Sequence, residues 1–181
     1  MWRKILVFSL ILLLPSLTLA ALDFDGTDDF AAKANTQANL PTVEPYSIGM
    51  WIRPDTTVAA DILLEHGERA GTATGWFFGT QASGALFFTT LGIKTYGPTT
   101  MTPLVANEWQ FVGISMSSAF DVTFYHYRPS TGTLSTETVN HTAGMVAPSA
   151  TADIIVAAGH ASTKEGLTAT DLAFYFDGQT T

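Results

Sequence analysis

Short runs of alternating apolar and polar residues recur along nearly all of this 181-residue chain. Turns rich in Gly, Pro, Asn, Ser and Thr break them about every ten residues, the spacing of an all-β sandwich or barrel. In an extended strand every second side chain falls on the same face. Tyr46/Ile48/Met50/Ile52, Val112/Ile114/Met116, Val122/Phe124 and Leu172/Phe174/Phe176 each form such a one-sided set, and these sets are expected to build the core. No long segment carries the apolar period of a helix. Strands are expected near 21–25, 29–33, 46–53, 61–66, 75–80, 85–90, 93–96, 109–116, 121–127, 135–141, 153–158 and 170–176. The stretches 75–80 and 85–90 read as a hairpin with aromatics on both faces. Residues 55–60 and 97–107 read as loops.

Residues 1–20 have the form of a secretory signal peptide. Arg3 and Lys4 precede an apolar run from Ile5 to Leu14, Pro15 breaks it, and Thr18-Leu19-Ala20 fits a small-x-small cleavage site. The run is shorter than the roughly 20 residues a membrane-spanning helix needs. The expected organisation is a signal peptide at 1–20 and one domain at 21–181. The expected location is secreted or extracellular, or periplasmic in a Gram-negative host, with no membrane insertion after cleavage. The chain has no cysteine. A disulfide framework is therefore excluded, and the fold must be held by its core or by a metal.

Eight basic and sixteen acidic residues give a net charge of −8. Beyond Arg3 and Lys4, the six basic residues are scattered singly. Nucleic-acid binding needs a basic patch, so nucleic acid and anionic membrane surfaces are discounted as partners. The four histidines, at 66, 126, 141 and 160, lack zinc-ligand spacing. His126 shares the parity of Phe124 and reads as a hydrogen-bonded, partly buried side chain. No Gly-x-Ser-x-Gly elbow and no glycine-rich phosphate loop is present.

Candidate ligand contacts follow from strand parity. Trp51 falls opposite Ile48, Met50 and Ile52, beside the small Ser47 and Gly49 and next to Arg53. Its ring has room for a ligand or for a covering loop. Tyr125 and Tyr127, with Thr123, share the face opposite Val122 and Phe124 and lead into Arg128. Trp51, Tyr125, Tyr127 and Arg128 are thus the candidate glycan or protein contacts. For Trp51, Trp76 and Trp109 a structural role in the core competes with this reading.

The order of features resembles a laminin-G-like module of the concanavalin A-like lectin/glucanase superfamily. The residues that carry the resemblance are Phe24-Asp25-Gly26, Trp51, Gly75-Trp76, Gly84-Ala85-Leu86-Phe87, Trp109 to Ile114, Val156 to Gly159, and Asp171 to Tyr175. It covers about 21–176 and implies an antiparallel β-sandwich of the jelly-roll type. Two departures stand out. The strand at 121–127 runs into Tyr127-Arg128-Pro129 rather than a tight Asp-Gly turn. The residues usually found after the last strand are missing, as if the module were truncated.

The resemblance also bears on chemistry. Glucanases of this superfamily carry a Glu-x-Asp-x-x-Glu strand, because glycoside cleavage needs two carboxylates flanking the bond. This chain has none. Its nearest cluster, Glu65-His66-Gly67-Glu68, sets two carboxylates on opposite strand faces and reads as a solvated strand end. In related modules, acids near the first turn and before the last strand often hold a structural Ca²⁺. The corresponding candidates are Asp25, Asp28, Asp29 and Asp171. Hard Ca²⁺ takes six to eight oxygens, while Asp and Gly also serve plain turn chemistry, and both readings of this segment stay open. Asn140-His141-Thr142 is a glycosylation sequon that matters only in a eukaryotic host.

The expected function is a secreted, non-catalytic, lectin-like module that binds a glycan or glycosylated surface, with calcium assistance as an option. The alternative is a structural or adhesive module that binds protein in a cell-surface or virion assembly. A third reading is a divergent glycoside hydrolase or polysaccharide lyase.

Overall fold

The computed structural model describes residues 21–25, 27, 29–33, 43–56, 60–68, 73–140, 144, 147–148, 152–157, 159–160, 172–173 and 177–180. The expected signal segment at 1–20 lies outside them. So do Asp28, Asp171, Phe174 and Phe176, and the side chain of Leu172.

The described residues form strands and no helix. Sheet A has the order β1 (Leu22–Asp25), β14 (Asp177–Thr180), β3 (Tyr46–Pro54), β8 (Gln110–Met116), β9 (Asp121–Arg128) and β10 (Thr133–Asn140). Sheet B has the order β2 (Ala31–Lys33), β11 (Asp153–Val156), β4 (Ile62–Glu68), β5 (Thr74–Thr80), β6 (Leu86–Thr90) and β7 (Lys94–Tyr96). A small ladder pairs β12 (Gly159–His160) with β13 (Leu172–Ala173). Every pairing is antiparallel. The predicted all-β antiparallel sandwich is therefore the observed architecture.

The one-sided sets meet between the sheets. Ile52, Val112, Ile114, Met116, Val122 and Phe124 of sheet A are buried in one cluster with Leu64, Trp76, Phe78, Phe88 and Tyr96 of sheet B. Tyr46 stacks on Trp76 with ring centres 6.2 Å apart, joining the layers. A buried ring of this size contributes on the order of 1.5–3 kcal/mol. Both aromatic faces of the β5–β6 hairpin are used. Trp76, Phe78 and Phe88 enter the core, while Phe77 and Phe87 meet edge-to-face at 5.4 Å on the outside.

Two elements differ from expectation. The polar stretch Asp177–Thr180 has no apolar alternation, yet it lies between β1 and β3 and buries Thr180. It holds this place through backbone ladders on both sides, in the register Leu22↔Thr180 and Thr180↔Ile52. The segment Glu65-His66-Gly67-Glu68 was expected to be a solvated strand end. Instead β4 runs on to Glu68 between β11 and β5, and Glu65 and His66 are fully buried. A position inside a six-stranded sheet removes water that a strand end would keep.

The connection from β7 to β8 links the edge strand of sheet B to the middle of sheet A. Leu104 is buried and Met101 packs on the core. Three polar anchors tie this segment to sheet A. The Glu137 carboxylate on β10 accepts the backbone N–H and hydroxyl of both Thr99 and Thr100. The buried His126 ring lies 3.2 Å from the Thr102 carbonyl and 2.9 Å from Gln110 Oε1. Gln110 in turn donates to the Val105 and Glu108 carbonyls. His126 is thus hydrogen-bonded as its parity predicted, and it is fully rather than partly buried.

Candidate binding face

The face of sheet A that points away from the core is set by the registers of β3, β8, β9 and β10. Trp51 lies opposite Phe111, Phe111 opposite Tyr127, and Tyr127 opposite Leu134. Adjacent strands lie about 4.8 Å apart, so this row crosses four strands over roughly 14 Å. Trp51 meets Phe111 and Tyr127 edge-to-face, at 5.8 and 6.2 Å between ring centres. Trp51 is still 38% exposed, and Leu134 is 57% exposed. Contacts of this geometry fix ring orientation beyond simple area burial.

The next row along the strands is Gly49, Gly113, Tyr125 and Thr136, and the one after is Ser47, Ser115, Thr123 and Thr138. The paired glycines are required by packing. A Cβ on Gly49 would stand 2.6 Å from Phe111 Cζ, and one on Gly113 would stand 2.8 Å from the Ile48 carbonyl oxygen. Beside the Phe111 ring they floor an open depression of about 420 Å³, walled by Ser47, Ser115 and Tyr125. Ser47 and Ser115 also border a second hollow of about 600 Å³ that reaches Asp121, Thr123 and Thr138. Hydroxyls bridge the rows. Tyr125 Oη lies 3.1 Å from Ser115 Oγ, and the Thr123 and Thr138 hydroxyls are 2.9 Å apart. Each hydroxyl both donates and accepts, so an aromatic strip adjoins a hydroxyl-lined hydrogen-bonding trough with Asp121 at its far end.

The structure brings three of the predicted contacts together on this face: Trp51, Tyr125 and Tyr127. Arg128 does not join them. It has the parity of Phe124 and His126, and it donates to Glu108 Oε2 at 2.8 Å while Ser130 donates to the other oxygen of the same carboxylate. The Arg128 hydrogen bond, followed by that from Ser130, holds the Glu108 carboxyl below its ordinary value. Arg128 lines a separate small hollow of about 180 Å³ with His126, Thr102 and Ser135. Phe111, Ser115 and Gly113 were missed by sequence reasoning, which names Gly49 only as a small neighbour of Trp51. The alternation of β8 marks Phe111 and Ser115 as outward-facing, but only the register places them between Trp51 and Tyr125.

At the first turn, Asp25 Oδ1 accepts the Thr27 N–H at 2.8 Å, and Asp29 Oδ2 accepts the Asp25 N–H at 3.3 Å. This is local turn bonding that, among the described residues, leaves each carboxylate one oxygen. Asp28 and Asp171 lie outside the described residues. Among the described residues no three His, Asp or Glu side chains converge as a metal site would require.

No protein-family model and no curated protein sequence matches the chain. Solved structures do match in shape. The LG1-3 region of the laminin alpha2 chain superposes with a TM-score of 0.59 at 12% identity, over 87% of this chain. The chain spans 29% of that laminin structure's length. A Ruminococcus gnavus IT-sialidase CBM40 bound to alpha2,3 sialyllactose superposes with a TM-score of 0.58 at 11% identity, over 88% of this chain and 85% of its own. With two antiparallel sheets around one core, the chain has a jelly-roll β-sandwich fold, which it shares with these two structures.

Proposed function

We propose that this protein is a non-catalytic carbohydrate-binding module that seats a glycan on the outer face of sheet A. The observation that carries the reading is the Trp51–Phe111–Tyr127 row beside the hydroxyl-walled, glycine-floored depression. A sugar ring has apolar C–H faces that pack on aromatic surfaces. Its rim of hydroxyls needs partners that donate and accept. Both halves of that requirement stand side by side here. The hollows fall within the size range of small-ligand sites. That the similarly shaped CBM40 is bound to sialyllactose supports a sugar on this fold. Secretion rests on residues 1–20 alone. Calcium enters only as an accessory: Asp25 and Asp29 would supply two carboxylates, and Asp28 and Asp171 would have to complete the set.

A glycan array probed with wild-type protein and with Trp51→Ala and Tyr125→Ala tests the proposal. Wild-type binding that Trp51→Ala weakens about tenfold or more, with the far-ultraviolet spectrum unchanged, is the expected outcome. The exposed Leu134 at the end of the aromatic row favours the protein-binding alternative. A folded wild-type protein that binds no glycan would move the assignment to that alternative.

A further inference from the structure

We infer that the ligand on this face is a neutral glycan, one without carboxylate, sulfate or sialic acid groups. The inference rests on the carbohydrate-binding reading and adds the ligand's charge class. An acidic sugar is met most strongly by a free cation, above all an arginine, whose planar fork matches a carboxylate. Among the described residues, Arg53 is the one basic side chain with outward parity on sheet A. Its guanidinium is already engaged. Nη1 donates to Asp55 Oδ1 at 3.1 Å, and Nη2 donates to Asn107 Oδ1 at 3.2 Å. Arg128, at the end of β9, has the opposite parity and is held by Glu108.

The acids on the face outnumber this cation. Asp23 and Asp25 on β1 alternate with the buried Phe24 and so point outward on the same sheet. Asp55 follows β3, and Asp121 borders the second hollow, where it accepts from Asn140 Nδ2 at 2.6 Å. The net charge of −8 adds a long-range field of the same sign. An anionic glycan would meet repulsion from these acids with no free cation among the described residues of the face in compensation. A neutral glycan meets what the trough offers: the hydroxyls of Ser47, Ser115, Tyr125, Thr123 and Thr138, and an aromatic strip long enough for more than one ring. These contacts involve no net charge, so salt has little to screen.

Affinity electrophoresis of the intact protein tests this with neutral β-glucan, xylan and galactan against polygalacturonate and a sialylated glycoprotein, each at low and high salt. The expected result is retardation by at least one neutral polymer, changing less than about twofold with salt. Trp51→Ala should abolish it, and Tyr125→Phe, which removes one trough hydroxyl, should weaken it. Retardation by an acidic polymer that fades with added salt would overturn the neutral assignment and leave the carbohydrate-binding reading standing. Retardation by neither class, from protein with a native β spectrum, would overturn the carbohydrate-binding reading itself.

Discussion

Glu137→Gln probes how the connection at 97–109 is held across the open side of the sandwich. One carboxylate oxygen accepts the Thr99 N–H and hydroxyl at 2.7 and 3.0 Å, and the other accepts the Thr100 N–H and hydroxyl at 2.8 and 2.5 Å. These donors, the Thr100 hydroxyl foremost, hold the carboxyl down to about 2 from an ordinary 4.5. At about 1.4 kcal/mol per pH unit, the difference corresponds to ~3.4 kcal/mol for a fully dry site. Glu137 is only half-buried, so solvent screening leaves about 1–2 kcal/mol. Glutamine keeps one acceptor oxygen and turns an NH₂ group towards the other pair of donors. In a domain of this size the loss is a Tm lower by about 2–8 °C at neutral pH. The folded pKa lies below the unfolded one, so the contribution is complete above pH 4.5 and is lost as pH falls towards about 2. Melting wild type and variant by circular dichroism across that range should show the gap in Tm closing as the medium becomes acid. A gap that stays constant with pH, or no gap at neutral pH, would refute the clamp.

Three further outcomes are expected. Phe124→Asp places a charge at a fully buried core position and should prevent folding, seen as loss of the β spectrum and of cooperative melting. His66 is fully buried, and neither ring nitrogen has a hydrogen-bond partner among the described residues. Burial lowers its pKa below 6.5, so its unfolded form takes up the proton first and stability falls as pH drops through that value. His66→Phe should flatten the decline in Tm on the acid side of neutrality, and an unchanged decline would clear His66 of that role. Millimolar Ca²⁺ should raise the Tm and a chelator should lower it if Asp28 and Asp171 complete a site with Asp25 and Asp29; no shift would leave the turn to its own hydrogen bonds.

Much of the fold was legible because period-two alternation is a local property. Val112, Ile114, Val122 and Phe124 announced their inward face, and each is buried. The same parity argument set Trp51, Tyr125 and Tyr127 outward, since one face fixes the other. Arg128 was grouped with Tyr127 by adjacency along the chain, although strand parity sends neighbours to opposite faces. Asp177–Thr180 was illegible for another reason. A strand held by backbone ladders on both sides needs no apolar side chains to declare it.

The sequence by itself determined the all-β class, the inward and outward sets of β3, β8 and β9, the hydrogen-bonded role of His126 and the absence of disulfides. Tertiary structure alone decided which outward residues meet. Trp51, Phe111 and Tyr127 come from three separate strands, and only the registers of β3, β8 and β9 align them in one row. Those registers also set Gly49 against Gly113, leaving a hollow where larger side chains would have filled the face. Parity is written in each strand separately. Register belongs to pairs of strands and is fixed only when both buried faces pack against one core.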